Sequence, residues 1–246
     1  MRYFLEVSYK GTNYSGFQSQ KNANTIQAEI ERAFKTLLKK EINLTSSSRT
    51  DTGVHAHQNF FHFDIDIGLS PQLLYNLNAI LPGDIAAKQM FKVDENAHCR
   101  FDAITREYKY YIYQKKNPFL TDRAFYFPYT LDLDSMQKAA AILKEYSDFT
   151  SFSKRNTQVR SFLCDIKESK WTFEEETLVY QVKANRFLRG MVRALTATML
   201  KLGRRKINID NFKAIIESKD CTMANFAVPP HGLFLVKVAY PGNYFK

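Results

Sequence analysis

Two stretches of strictly alternating side chains constrain this chain more than any other feature. In residues 2–9, Tyr3, Leu5, Val7 and Tyr9 fall on one side, with Phe4, Glu6 and Ser8 on the other. His57–Ile67 repeats the pattern, with Phe61, Phe63, Ile65 and Ile67 against Phe60, His62, Asp64 and Asp66. A period of two is the signature of an extended strand. A third apolar run, Ile42–Ser47, reads as a strand just before Ser48-Arg49-Thr50-Asp51-Thr52-Gly53-Val54-His55-Ala56. That segment packs a cation, hydroxyls, a carboxylate, a glycine and an imidazole into one short loop between two strands. Short loops held by a rigid scaffold are where binding and catalytic groups concentrate.

Helical and extended patterns alternate along the rest of the chain. Asn24 and Gln27 mark a helix start, and Ile26, Ile30, Phe34, Leu37 and Leu38 recur at helical spacing to about Lys40. A helix opening at Ser70-Pro71 runs to about Ile80, and a strand covers Ile85–Val93. Beyond Thr105, strands are predicted over 107–114, 161–169, 178–185 and 233–240, and helices over 134–146, 187–202 and 210–218. Gly203 is the expected stop of the long helix. Several strands follow one another directly, which predicts an α+β fold with largely antiparallel sheets. The expected halves are residues 1–105 and 106–246, with no Pro/Gly/Ser-rich linker between them.

Composition narrows the function classes. With 246 residues, 45% of them hydrophobic, the chain can bury a substantial core. A formal net charge of +10 favours a polyanionic partner, nucleic acid before membrane surface. Cys99, Cys164 and Cys221 are odd in number and far apart, which points away from a disulfide framework or a zinc motif and toward a reducing compartment. The opening residues lack the apolar core of a signal peptide, and no run approaches the ~20 apolar residues of a membrane span. The expectation is a soluble, cytoplasmic protein.

Three segments could carry chemistry. Asp51 could be a nucleophile, a general base or a metal ligand, or an ordinary turn residue with Gly53 at positive φ. Arg49, two residues away, shares a face with Asp51 on extended backbone, either as an ion pair or as a phosphate anchor. His55 reads as polar lining of the loop or as an RNA contact. A metal site built from His55, His57 and His62 is disfavoured, because His57 and His62 fall on opposite faces of their strand. In Arg106-Glu107-Tyr108-Lys109-Tyr110-Tyr111-Ile112-Tyr113, aromatic residues interleave with cations. That suits base stacking and phosphate contact, or simply a strand with an aromatic core face. In the helix predicted over 187–202, Leu188, Met191, Val192, Leu195, Met199 and Leu202 form an apolar stripe, with Arg186, Arg189 and Arg193 opposite. The arginines are either a solvated face or contacts to phosphates and a buried acid.

Arg49-Thr50-Asp51-Thr52-Gly53-Val54-His55-Ala56 resembles the signature of the tRNA pseudouridine synthase A family. The resemblance extends through Gly16-Phe17-Gln18-Ser19-Gln20, Leu81-Pro82-Gly83-Asp84-Ile85, Arg106–Tyr110, Asp148–Phe152, Phe187–Arg193 and Gly232-Leu233-Phe234-Leu235. It implies two α/β halves flanking a basic cleft, a homodimer as the usual assembly, and conversion of uridine to pseudouridine in the anticodon stem-loop of tRNA. It also implies that no cofactor and no metal is required. By the same resemblance Asp51 is the catalytic aspartate, Tyr108 stacks on the target base and Arg193 pairs with the aspartate. Arg49 is the basic residue of the signature, and Leu233 lines the pocket. His55, Arg186 and Arg189 are further candidates for substrate contact. Departures from the family pattern are Phe17 for tryptophan, Ser48 for glycine, Thr52 for alanine, His57 and Asn59 for glycine and valine, and Ala194 and Ala197 for asparagine and glycine. The alternatives are a related synthase acting elsewhere on tRNA, a non-catalytic RNA-binding module, and a nuclease or glycosidase.

Overall fold

The alternating opening residues form strand β1 (Arg2–Tyr9) in a computed structural model that describes residues 1–155, 159–242, 244 and 245. Helix α1 (Ile26–Leu38), strands β2 (Thr45–Ser46) and β3 (His55–Asp64), helix α2 (Gln72–Ile80) and strand β4 (Ile85–Val93) follow. α1 starts at Thr25, whose hydroxyl accepts from the Ala28 amide at 3.3 Å, a conventional N-cap. β2 is shorter than the predicted 42–47 strand because α1 takes part of that backbone. Gln27 donates to the Leu44 carbonyl at 3.0 Å, and the Leu44 amide donates to Glu31 at 3.1 Å.

The second half begins with β5 (Thr105–Tyr113) and a short β6 (Phe125–Tyr126), then α3 (Leu133–Ile142). Next come β7 (Ile166–Glu174), β8 (Thr177–Ala184), α4 (Met191–Gly203), α5 (Ile209–Glu217) and β9 (Leu233–Ala239). β7 lies later than the predicted 161–169. Residues ahead of it bond a neighbouring loop instead, the Phe149 amide to Phe162 O at 3.1 Å and the Cys164 amide to Ser147 O at 2.8 Å.

Two compact units result, Met1–Ile104 with Phe234–Lys246, and Thr105–Leu233. The last strand therefore groups with the first unit rather than with residues 106–233. In the first unit β1 lies between β3 and β4, antiparallel to both, and β9 pairs parallel with β3 through His55–Phe234 and Ala56–Leu235. Both faces of β3 are buried. Phe61 packs against Phe17 (centroids 4.8 Å) and Phe63 against Phe34 of α1 (4.9 Å). On the other face, Phe60 meets Tyr240 (5.2 Å) and Phe245 (5.4 Å) of the C-terminal tail. The alternation therefore marks a two-sided core strand, as expected where a sheet is covered on both faces.

In the second unit β8 lies between β5 and β7, antiparallel to both, and β6 adds to β5 in parallel. The fold is thus α+β with largely antiparallel sheets. Trp171 of β7 packs on Tyr180 (5.1 Å), and its indole N–H donates to Met199 Sδ of α4 at 3.4 Å. Gly203 is needed for close approach rather than for a turn. A Cβ there would lie 2.3 Å from Met136 Sδ of α3.

α4 corrects two expectations. It begins at Met191, because Gly190 at φ +75° ends the preceding loop and no helical turn spans it. Arg186 and Arg189 therefore precede the helix and share no helical face with Arg193. The helix is also not amphipathic in the expected sense: the apolar stripe is buried, and so are Ala194, Thr196, Ala197, Thr198 and Leu200. The two threonines satisfy their hydroxyls on the preceding turn, Thr196 on Val192 O and Thr198 on Ala194 O, each at 2.8 Å. A helix buried on nearly all sides must carry its polar groups this way.

Candidate active site

In the first unit the loop around Asp51 is a tight turn. The Val54 amide donates to Asp51 O at 3.1 Å, and Gly53 sits at φ +76°, where a type II turn requires glycine. Asp51 is half-buried and Arg49 is exposed. Two glycines let neighbouring backbone close on the turn. A Cβ on Gly11 would lie 2.1 Å from Val54 O, and one on Gly16 3.2 Å from Thr50 O. The Phe17 amide donates to that same Thr50 carbonyl at 3.1 Å. This places the Gly16–Gln20 block beside the Asp51 loop.

His55 is 1% exposed. Its Nδ1 accepts from the Gly11 amide at 3.0 Å, and its ring lies 4.5 Å from Phe234. The imidazole, read from the sequence as polar lining of the loop or as an RNA contact, makes these contacts inside the fold, joining the turn to the Gly11 loop and to β9. Asp84 of the Leu81–Ile85 block anchors the other side of that loop. It accepts from the Tyr14 hydroxyl and from Asn13 (3.1 Å), and its carbonyl accepts from the Lys10 amide (2.8 Å).

In the second unit Tyr108 lies on the buried face of β5 with Arg106, Tyr110 and Ile112, its ring edge-on to Phe187 at 5.1 Å. The cations of this strand are turned to protein. Arg106 donates to Asn185 O at 3.0 Å, and Lys109 pairs with Glu174 of β7. The Tyr110 hydroxyl donates to Pro229 O at 2.7 Å, and burial pushes that hydroxyl well above the ordinary tyrosine range. Arg193 donates through Nε (3.0 Å) and Nη2 (2.6 Å) to Val228 O. Arg193 and Tyr110 thus hold the segment leading to Leu233, which is buried at 7% exposure. Gly232 makes room, since a Cβ there would lie 2.8 Å from the Tyr110 ring. Arg189 is exposed and Arg186 half-buried. The Arg189 carbonyl accepts from the Lys154 amide at 3.0 Å, which ties this loop to the segment after Phe152.

Among the described residues, His62, His98 and Cys99 bring ligand-type atoms within 4.8 Å of one another. Both Nδ1 lone pairs and the thiol proton are already used by the fold. His62 Nδ1 accepts from the Cys99 amide (3.3 Å), and His98 Nδ1 from the Arg100 (3.2 Å) and Phe101 (3.4 Å) amides. The Cys99 thiol donates to Thr45 O at 3.1 Å. Histidine that binds a metal ordinarily donates its other ring N–H to an acceptor, the reverse of what both rings do here. The cluster reads as a packed, hydrogen-bonded core.

Comparison with known proteins decides the family. The family model described as tRNA pseudouridine synthase matches residues 6–102 and 139–241. The chain belongs to the tRNA pseudouridine synthase family. Membership makes it an enzyme of the isomerase class. Its relatives named tRNA pseudouridine synthase A include one from Parabacteroides distasonis, 44% identical over 99% of this chain and 98% of the relative. One from Bacteroides fragilis is 41% identical over 100% and 98%. One from Staphylococcus aureus is 35% identical over 99% and 92%. The stretches matched to the synthase family include Asp51, Arg193 and Leu233, while Tyr108 lies between them. Among the described residues no helix is long and apolar enough to cross a membrane.

The supports of the Asp51 turn are roles the sequence did not assign: those of Gly11, Tyr9 and Asn59, and the acceptor role of His55. The alternation hinted at one of them. Tyr9 is a polar-tipped residue on the core side of β1, and such a group needs a buried partner.

Proposed function

We propose that this chain isomerises uridine to pseudouridine in the anticodon stem-loop of tRNA, with Asp51 as the reactive carboxylate. The match of the family model across the Asp51 turn carries this reading. The relatives' names supply the tRNA, and the +10 charge is suited to it. The N1–C1′ glycosidic bond breaks, the uracil turns, and C5 bonds to C1′. N1 gains a proton and C5 loses one. The base must first leave its stack at a cost of a few kcal/mol, and stacking on Tyr108 offsets roughly 1–3 kcal/mol of it. Arg49, Arg186 and Arg189 serve as phosphate contacts, Arg193 as the partner of the aspartate and Leu233 as pocket lining. The enzyme works in the cytoplasm as a homodimer, without cofactor or metal.

The test is Asp51→Ala with tRNA carrying tritium at uridine C5. The variant should bind tRNA as the parent does and release no tritium. A ~10⁴-fold loss corresponds to ~5.4 kcal/mol of barrier. Turnover near the parent rate refutes the assignment, and free uracil as product would make the chain a glycosidase.

A further inference from the structure

The residues just before Asp51 rest on a closed set of buried hydrogen bonds centred on Asn59, which is 0% exposed. Its Oδ1 accepts from Ser47 Oγ at 2.7 Å and from the Phe60 amide at 2.9 Å. Its Nδ2 donates to Ser48 O at 2.9 Å and to the Tyr9 hydroxyl at 3.1 Å. Two donors and two acceptors are all a primary amide has, so every one is used and the amide has a single orientation. The Tyr9 hydroxyl, itself buried, bonds Thr50 Oγ1 at 2.8 Å. Residues 47, 48 and 50 are thereby tied to β1 and β3 immediately ahead of Asp51. Thr50 is held from its other side by the Phe17 amide.

We propose that Tyr9 and Asn59 are positioning residues that act through Thr50 and Ser48 to set where the Asp51 carboxylate stands. This rests on the reading of Asp51 as the reacting group. Both side chains are walled off from solvent, so neither meets the RNA. Their loss should act on the chemical step and leave tRNA binding alone. Displacing a reacting group by a fraction of an ångström lowers rate steeply while contacts elsewhere are kept.

The experiment compares Tyr9→Phe, Thr50→Val and the double variant, each well below its own Tm, with tRNA in saturating excess. Both single changes remove the Tyr9–Thr50 hydrogen bond, and Tyr9→Phe also removes the one from Asn59. Each should lower kcat about 10-fold with tRNA Kd within 2-fold of the parent. The double variant should be no slower than the slower single, because one bond cannot be lost twice. A role in stability alone predicts lower Tm with unchanged kcat, and that result overturns the proposal, as do independent, multiplicative losses. If Tyr9→Phe does not fold, Thr50→Val carries the same expectation from the other end of the bond. Asp51→Ala in the same assay separates the two readings. If it is inactive while Tyr9→Phe and Thr50→Val turn over at the parent rate, only the positioning role falls. If it is active, the catalytic assignment falls and the positioning role with it.

Discussion

Gly11→Ala tests how the Asp51 turn is built. The added Cβ would sit 2.1 Å from Val54 O and 2.8 Å from Val54 C, both backbone atoms of the turn. Nonbonded carbon contacts are comfortable only near 3.5 Å, so the two segments must separate by about 1 Å. Forcing extra carbon into a packed interior costs typically 1–3 kcal/mol. The same separation breaks the buried bond from the Gly11 amide to His55 Nδ1, now 3.0 Å. Leaving a buried partner unsatisfied costs a further 1–3 kcal/mol or so. The expected destabilisation is about 2–6 kcal/mol, read as a shift of the urea midpoint at unchanged m value. The turn it displaces begins at Asp51, so kcat should fall in the molecules that remain folded. Gly83→Ala is the control. No atom lies within 4 Å of its would-be Cβ and its φ is not positive, so that change should be neutral to stabilising by up to ~1 kcal/mol. A Gly11→Ala protein within ~0.5 kcal/mol of the parent would refute this account of the turn.

Other expectations follow from the same geometry. Burial pushes the Tyr9 hydroxyl up to about 12. The folded protein then keeps a proton that the unfolded chain gives up near pH 10. The stability this contributes is complete below pH 10 and is lost as pH rises from 10 toward 12, ~1.4 kcal/mol per pH unit. Denaturant titrations from pH 9 to 11 should show a shallower loss in Tyr9→Phe than in the parent, and equal slopes would exclude Tyr9 as a source. Gly203→Ala would place its Cβ 2.3 Å from Met136 Sδ, so thermal melts should show destabilisation of about 1–3 kcal/mol. Adding Met136→Ala should return part of it, because the two changes share one contact.

Some of this was legible in the residues because its cause is local. The period-two runs of β1 and β3, the helical spacing in α1 and the turn at Gly53 each depend on neighbours a few positions away. Where the structure departs from the expected elements, either a distant contact or a single residue's backbone conformation overrode the pattern. Leu44 left the ladder because Gln27 and Glu31 took its backbone. The apolar stripe from Met191 to Leu202 is buried as expected, but Gly190 in the left-handed region delayed the helix and separated Arg186 and Arg189 from Arg193. Of the two readings of the Arg106–Tyr113 strand, the aromatic core face is what local pattern and structure share, with Arg106 on Asn185 O and Lys109 on Glu174.

By itself the sequence determined the α+β class, the net charge of +10 and, through the spacing of several blocks, the synthase family. A carboxylate's identity and the order of blocks are written in one dimension. What only the tertiary structure decided is how that aspartate's turn is held: Tyr9 and Asn59 reach it from two strands, and His55 faces inward to Gly11. Two of those three partnerships span 41 and 44 positions of chain, and hydrogen-bond satisfaction in a buried interior is a property of atoms brought together, not of any residue's neighbours in the chain.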